Sequence, residues 1–512
     1  MAKIIFNEDC NHFLYDRYAA GVRRLEKEHI LDFLAQYENT GVTDFLVCVG
    51  SSTPWFETKT RDNVLDTYHR WQKEGKVPQD SSEAHFGQLA LLDDFYQREG
   101  KTVISFLLEH VRDFGMRPWA SLRMNDIHEA SAEDSLLFSD FYRKNRHMNR
   151  VSHREPSSYY DYALDYHYPE VREYYLSLAK EILDTFDVDG FELDFMREIF
   201  SFGVGREYEG IAVMNAFMRD VYTMVKVAEA HWGHPIEIGV RVPDTPEKAL
   251  RLGFDVFDWV EAGIVDLLVV TPRWSSIDND LPIDLWKRIM RGKNVEIAAG
   301  LEILIDAYNR RPRKMQGNTY ETAVASCTNF LSQGADAIYL FNYMDVTGEA
   351  RESTLTSNTE KYREFLAMAG DYEKCVAAER HHVVTYNDVD AICEKGKKQL
   401  PLRLWGEKDN PPPFSAVRVV TGDVPADRMV QVILGVEPED ADKGENLIVY
   451  LNAKRCRFVG VREWCAPQYT DMKYLVFEAE NDGDLPPVSV IEMANTDGII
   501  MIHWAEIDIL KK

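Results

Sequence analysis

The chain has 512 residues, 45% of them hydrophobic, enough for a full core and too many for a globally disordered chain. At roughly 100–200 residues per domain, this length suits two or three domains, or one barrel with an appendage. Lys and Arg total 58 against 85 Asp and Glu, a net charge of −27, which argues against nucleic acid or an anionic membrane as partner and leaves a neutral sugar open.

The first apolar run, Lys3–Asn7, reads as a strand that ends in Glu8-Asp9, with Asn11 and His12 behind it. A helical pattern at Leu25–Tyr37 leads to a second strand, Phe45–Val49. A third strand, Arg117–Leu122, runs into Arg123, Asn125, Asp126 and His128. The segments after these two strands, Ser51–His85 and Asn125–Asp165, exceed ordinary connections. They are expected to be functional loops over the strand ends.

After a helical pattern at Val171–Phe186 comes the most informative stretch, Gly190–Phe195, which continues into Met196, Arg197 and Glu198. Side chains alternate along a strand, so Phe191, Leu193 and Phe195 share one face and Glu192 and Asp194 the other. Two carboxylates on the inner face of a buried strand are costly to place there. They mark either acid/base or nucleophilic chemistry, or a structural cluster paired to Arg123, Arg197 or Arg241.

The helical pattern Ile211–Ala230 precedes a fifth strand, Ile236–Val242, which ends near Arg241 and Asp244. A sixth, Val265–Val270, ends in Thr271-Pro272-Arg273-Trp274. Trp274 is either core or a ring for stacking on a sugar. Asp278 and Asp280 read best as an N-cap before the helix at Pro282–Met290. The seventh strand, Val295–Ala299, is followed by Gly300-Leu301-Glu302, where glycine lets chain and ligand approach closely. The helix Tyr320–Gln333, the eighth strand Ala337–Phe341 with Asn342 at its end, and the helix Asn358–Ala369 complete the alternation.

Eight strand–helix units predict an α/β fold of the (β/α)8 TIM-barrel type, whose C-terminal strand ends carry catalytic groups. An open doubly wound sheet is the alternative, but the chain has no GxGxxG turn or P-loop to support it. Nearly every strand delivers a polar group at that end. Glu8, Asp9 and His12 also read as helix caps, and Asp126 with His128 as a hydrogen-bonded loop pair.

Beyond residue 370 strand-like runs follow one another: His382–Tyr386, Ala416–Thr421, Val430–Val436, Asn446–Leu451, Leu475–Glu480, Val488–Ala494 and Ile499–Asp508. Such spacing predicts an antiparallel β-sandwich. The expected domains are a barrel over 1–372 and a smaller sandwich over 373–512. Trp464 and Trp504 read as sandwich core before sugar platforms, and homo-oligomerisation stays open.

The 7 Cys are an odd number without zinc spacing, and are read as reduced thiols. Met1-Ala2-Lys3 leads directly into the first strand without a signal-like apolar region. No apolar run reaches membrane-spanning length. A cytoplasmic protein is expected, with no cofactor, no metal and no membrane partner.

With these residues in view, the chain resembles glycoside-hydrolase-like barrels and is most similar to the group called glycosyl-hydrolase-like family ten. The likeness covers about residues 1–370. It lies in Asp165-Tyr166-His167-Tyr168-Pro169-Glu170-Val171-Arg172, in Phe186-Asp187-Val188-Asp189-Gly190-Phe191-Glu192-Leu193-Asp194, in Asp258–Asp266 and in Gly334–Asn342. The run Asp189-Gly190 to Asp194 also resembles the fourth strand of chitinase-like barrels, whose proton-donating Glu falls where this chain has Met196. That departure removes the donor, so the substrate-assisted mechanism is not carried over.

The resemblance implies a carbohydrate substrate and hydrolysis by two carboxyls in different protonation states. Asp194 is expected as nucleophile or base, Glu302 as acid/base, and Glu192 as the group that orients Asp194 or exchanges roles with it. Glu8, Asp9, Arg123, Asn125, Asp126, His128, Arg197, Arg241, Trp274 and Asn342 are the expected substrate contacts. Two rivals stand beside this reading. One is a carbohydrate-binding barrel without turnover. The other is a metal-assisted lyase or isomerase using Glu192, Asp194 and His128.

Overall fold

Eight parallel strands close into a barrel: β1 Lys3–Glu8, β2 Val42–Gly50, β3 Arg117–Arg123, β4 Gly190–Asp194, β5 Glu237–Pro243, β6 Leu267–Thr271, β7 Glu296–Leu301 and β8 Ala337–Phe341. Each pairs with the next, and β1 pairs with β8. The computed structural model describes residues 1–51, 53–76, 82–131, 135, 137, 139–273, 277–305, 316–344, 355–385, 399–462 and 472–512.

Strand parity sorts the side chains. Ile4, Phe6, Phe191, Leu193, Val240 and Leu268 face the helical layer and join the large core. Ile5, Leu46, Trp119, Leu267, Val269, Ala298, Ala337, Tyr339 and Phe341 fill the barrel lumen. Trp119 closes its lower end, with its Nε1 donating to Asp44 at 2.9 Å. A Cβ at Gly190 would stand 2.1 Å from the Trp119 ring, so only glycine lets that ring lie there.

The segment expected as a loop at Ser51–His85 contains a helix, Val64–Glu74, and reaches into a second, Ser82–Glu99. The overlooked signal is a capping box. Asn63 accepts from the backbone of Leu65 and Asp66, and the Asp66 side chain answers to Asn63. The helix stops at Gly75 in the left-handed conformation, φ +64°. The Asn125–Asp165 segment is mostly irregular, with a short helix at Asp140–Lys144 started by Ser139.

The alternation ends with the helix Tyr372–Ala377, and antiparallel strands begin at Arg380. A five-stranded sheet, in the order Arg380–Val383, Trp504–Lys511, Arg428–Val436, Lys473–Ala479, Arg457–Arg462, faces smaller sheets across an apolar core. Ile433, Tyr474, Val476 and Trp504 on its other face join the barrel core. The run expected as one strand at Ile499–Asp508 breaks at His503 into Gly498–Ile502 and Trp504–Lys511, which belong to different sheets. Leu402–Gly406 and Arg457–Arg462 are further strands, the latter disguised by a bulge at Gly460. Among the described residues, no helix is long and apolar enough to cross a membrane.

Candidate active site

The register sets three charged side chains level on adjacent strands: Arg123 on β3 opposite Asp194 on β4, and Asp194 opposite Arg241 on β5. Asp194 ends its strand. Its Oδ1 accepts from the backbone N–H of Met196 at 2.8 Å and of Arg197 at 3.0 Å, a turn that draws Phe195 out of the expected strand. Its Oδ2 accepts from Arg241 Nη1 at 3.0 Å.

Glu302 follows β7, where Gly300 packs so tightly on Thr271 that a Cβ would stand 2.3 Å from its Oγ1. Glu302 Oε1 accepts from Arg241 Nη2 at 2.8 Å, and Oε2 from Asn342 Nδ2 at 3.2 Å. Asn342 follows β8 with φ +61°, a left-handed conformation that Asn tolerates better than most residues. Arg241 itself is fully buried, with its guanidinium 3.6 Å from the centre of the Phe341 ring. One cation therefore bridges the carboxyls of strands four and seven.

Glu192 lies one inward position below Asp194. Its Oε1 accepts from Ser121 Oγ at 2.7 Å, Tyr339 Oη at 2.9 Å and Asn7 Nδ2 at 3.4 Å. Its Oε2 is buried without a hydrogen bond. These bonds hold Glu192 in place but do not run to Asp194. The expected orienting contact is therefore replaced by charge repulsion through the lumen.

Two carboxyls are bonded to one guanidinium with a third buried beneath them, and the protonation equilibria follow. Burial pushes Glu192 up to about 7, with the Asp194 charge adding to it. Burial pushes Glu302 to about 7 as well, against the pull of Arg241. For Arg241, burial favours the neutral form, but Asp194 and Glu302 outweigh it and raise its pKa.

A second network forms the rim. Arg123 Nη2 lies 3.0 Å from Asp9 Oδ1, and its Nη1 3.3 Å from Asp126 Oδ2. Asp126 Oδ1 binds His128 Nδ1 at 2.5 Å, and His128 Nε2 meets Arg197. Burial alone would raise Asp126, but His128 and Arg123 outweigh it and hold the carboxyl well below its usual range. Beside this network, Glu198 accepts from Tyr159 Oη at 2.9 Å and from Arg273 at 3.2 Å. Arg273 lies over the Tyr160 ring at 4.7 Å.

Of the expected site residues, Asp194, Glu302, Arg241 and Asn342 form one hydrogen-bonded group with Glu192 beneath it. Asp9, Arg123, Asp126, His128 and Arg197 form the adjoining rim. Two stand apart. Glu8 has the parity of Ile4 and Phe6, turns to the helical layer and binds His12 Nδ1 at 2.9 Å. Asn125 ties two loops together by binding the backbone of Leu164 and Phe200. Trp274 lies outside the described residues, as does Trp464. Trp504 is fully buried.

The helix Ile283–Ile289 has no side-chain cap, so the expected capping role of Asp278 and Asp280 is corrected. Asp280 instead pairs with Arg418 of the C-terminal domain. Sequence reasoning passed over Asn7, Ser121 and Tyr339 as partners of Glu192. Their shared inward parity with Ile5, Trp119 and Phe341 is the signal that finds them.

Among the described residues, two groups bring three metal-type ligands within reach of one another: Asp9, Cys10 and Cys48, and His381, Glu506 and Asp508. Glu192, Asp194 and His128 are not such a group. His128 is engaged by Asp126 and Arg197, and Arg241 occupies the Asp194 oxygen that a cation would use.

No protein-family model and no curated protein sequence matches the chain. Among solved structures, it is similar to the glycoside hydrolase domain of PgaB (BpsB) from Bordetella bronchiseptica, with 9% identity, 72% of this chain and 99% of that one covered, and TM-score 0.42. It is also similar to chitinase ChiA74 from Bacillus thuringiensis, at 8% identity, 98% and 100% coverage and TM-score 0.38. A family GH18 chitinase from Chromobacterium violaceum matches at 9% identity, 99% and 88% coverage and TM-score 0.37. The barrel and its C-terminal antiparallel sheets stand on the strand pairing of this chain itself, and the function has to be argued from the side chains at the barrel mouth.

Proposed function

We propose that the chain hydrolyses a glycosidic bond at the C-terminal mouth of the barrel, with Glu302 as general acid and Asp194 as the attacking or water-activating carboxylate. The observation that carries this reading is the bridge through Arg241, which holds two carboxyls in unequal environments. Asp194 is fixed by three donors, the backbone of Met196 and Arg197 and the guanidinium of Arg241. Glu302, pushed up to about 7, retains a proton near neutral pH to give to the leaving oxygen. Arg241 keeps the pair aligned and tempers the charge that grows on Glu302 as the proton leaves. Glu192, also pushed up to about 7, keeps additional negative charge away from Asp194 while protonated. Carboxyls about 5–5.5 Å apart retain anomeric configuration, and those about 6.5–9.5 Å apart invert it.

The test is release of sugar from a panel of aryl glycosides and natural oligosaccharides by wild type, Asp194→Asn and Glu302→Gln. Loss of about 10²-fold or more in both variants, with the fold intact, supports the assignment. Turnover near wild type in Asp194→Asn sinks it.

A second reading, sugar binding without turnover, is favoured by Met196. It is buried and apolar where the resembling chitinase-like barrels carry their donor. Binding in a thermal-shift titration with no release from the whole panel would establish that reading instead.

A further inference from the structure

Away from the barrel mouth, three side chains of the C-terminal sheet, His381, Glu506 and Asp508, converge on one point. Strands Arg380–Val383 and Trp504–Lys511 pair with His381 opposite Asp508 and Val383 opposite Glu506. Ala505, Ile507 and Ile509 line the sandwich core. Trp504, Glu506 and Asp508 therefore share the opposite face, where Trp504 joins the barrel core.

Glu506 and Asp508 are fully buried at 0% exposure. Each has one oxygen occupied. Trp504 Nε1 donates to Glu506 Oε2 at 2.7 Å, and Arg462 Nη2 donates to Asp508 Oδ2 at 2.9 Å. The other two, Glu506 Oε1 and Asp508 Oδ1, are buried without a donor from another residue among the described residues, and the two acids are close enough to couple to each other. His381 Nδ1 stands 3.4 Å from Glu506 Oε1, in ion-pair range but without a hydrogen bond. One ligand atom from each of the three residues lies within 4.8 Å of the others. Leaving buried carboxylate oxygens unmatched is expensive, and Val or Ile would fill these sheet positions at no such cost.

We propose that His381, Glu506 and Asp508 form a binding site for a first-row divalent cation, with Zn²⁺ the best fit. Imidazole Nδ1, Glu506 Oε1 and Asp508 Oδ1 supply one nitrogen and two oxygens. Zinc accepts that mixture readily, and three protein ligands leave a fourth position for water. The ion would balance both carboxylates together with Arg462. The His381 side chain, 22% exposed, gives the site a way in from solvent. The site would clamp the first strand of the sheet to the last, at the face that meets the barrel. The other ligand group, Asp9 with Cys10 and Cys48, is a poorer host. Asp9 Oδ1 is already taken by Arg123 and by the Cys10 backbone, and burial drives the Cys10 thiol away from the thiolate that a metal needs.

The test uses the full chain, stripped with a chelator, dialysed and titrated calorimetrically with ZnCl₂, with melting followed in parallel. We expect one Zn²⁺ per chain and a rise in Tm on loading. Glu506→Gln/Asp508→Asn should abolish uptake. His381→Ala, a partly exposed position that folding tolerates better, should weaken it by about tenfold or more. Cys10→Ser should leave it unchanged. Failure of wild type to bind up to about millimolar Zn²⁺ (roughly −4 kcal/mol) overturns the proposal. So does uptake that survives His381→Ala unchanged or disappears in Cys10→Ser.

Discussion

Replacing Glu302 by Gln has a consequence for stability that can be worked out from its surroundings. The Glu302 carboxyl moves from an ordinary 4.5 to about 7 in the folded protein. Between those values the folded state binds more protons at this site than the unfolded state does. Its contribution to stability is therefore greatest below pH 4.5 and is lost as the pH rises through 7. Across 7 − 4.5 = 2.5 units, at about 1.4 kcal/mol per unit, the loss is about 3 kcal/mol. Gln has the same shape, keeps a carbonyl oxygen for Arg241 and does not titrate. With an unfolding entropy of about 2.1 cal/mol/K per residue over the ~370 barrel residues, 3 kcal/mol corresponds to about 4 °C. Calorimetric melting of both proteins from pH 4.5 to 8 should show the variant gaining about that much on wild type. Parallel Tm curves would mean that Glu302 does not titrate in this window, and its assignment as acid would fail with them.

Three further outcomes follow from the same geometry. Arg241→Met leaves Asp194 and Glu302 without their shared cation. It should cost about 3–5 kcal/mol and move the alkaline limb of the pH–activity profile upward, because Arg241 lowers Glu302; unchanged melting would contradict the bridge. Asn342→Gly keeps the left-handed backbone of φ +61° but removes the donor 3.2 Å from Glu302. Its alkaline limb should rise by up to about one unit, and a downward shift would count against the contact. Gly190→Ala forces a methyl to within 2.1 Å of the Trp119 ring. It should destabilise the barrel by about 1–3 kcal/mol or more, seen as a lower Tm.

The barrel was legible because its signals are local. Each strand is a short apolar run with a polar end, and Ala337–Phe341 coincides with its predicted limits while the other seven lie within a few residues. The helix inside Ser51–His85 was missed although Val64, Leu65 and Tyr68 give it a buried face, because that face is short and polar residues follow it. Asp194, Glu302, Arg241 and Asn342 could be named from strand ends, but not their mutual bonding, which depends on a closed barrel whose outermost two, Asp194 and Asn342, are 342 − 194 = 148 positions apart. Asn7, Ser121 and Tyr339 stayed hidden for the same reason. Asn and Ser near strand ends are ordinary, and only the lumen brings the three onto Glu192. Glu8 shows the converse case. A carboxylate at the right strand end, but of the wrong parity, faces the helices.

The alternative to a functional site is a set of acids retained for structure alone, and the charge balance argues against it. A structural ion pair needs one acid for one base, and its replacement by apolar residues of similar size is often neutral or stabilising. Among the described residues, Glu192, Asp194 and Glu302 surround the guanidinium of Arg241, with Arg197 adding a weaker pull on Glu302, and Glu192 and Glu302 are pushed up to about 7. The third acid adds repulsion and leaves a buried oxygen, Glu192 Oε2, without a hydrogen bond. Stability alone gives no reason to keep that excess in a space otherwise filled by Trp119, Val269 and Phe341. Proton transfer does give one, because it requires a carboxyl that changes protonation state near neutral pH, as Glu302 does. If the excess is functional, Glu192→Leu should tolerate or improve folding while impairing turnover. A variant that is less stable but fully active would instead return the cluster to a structural role.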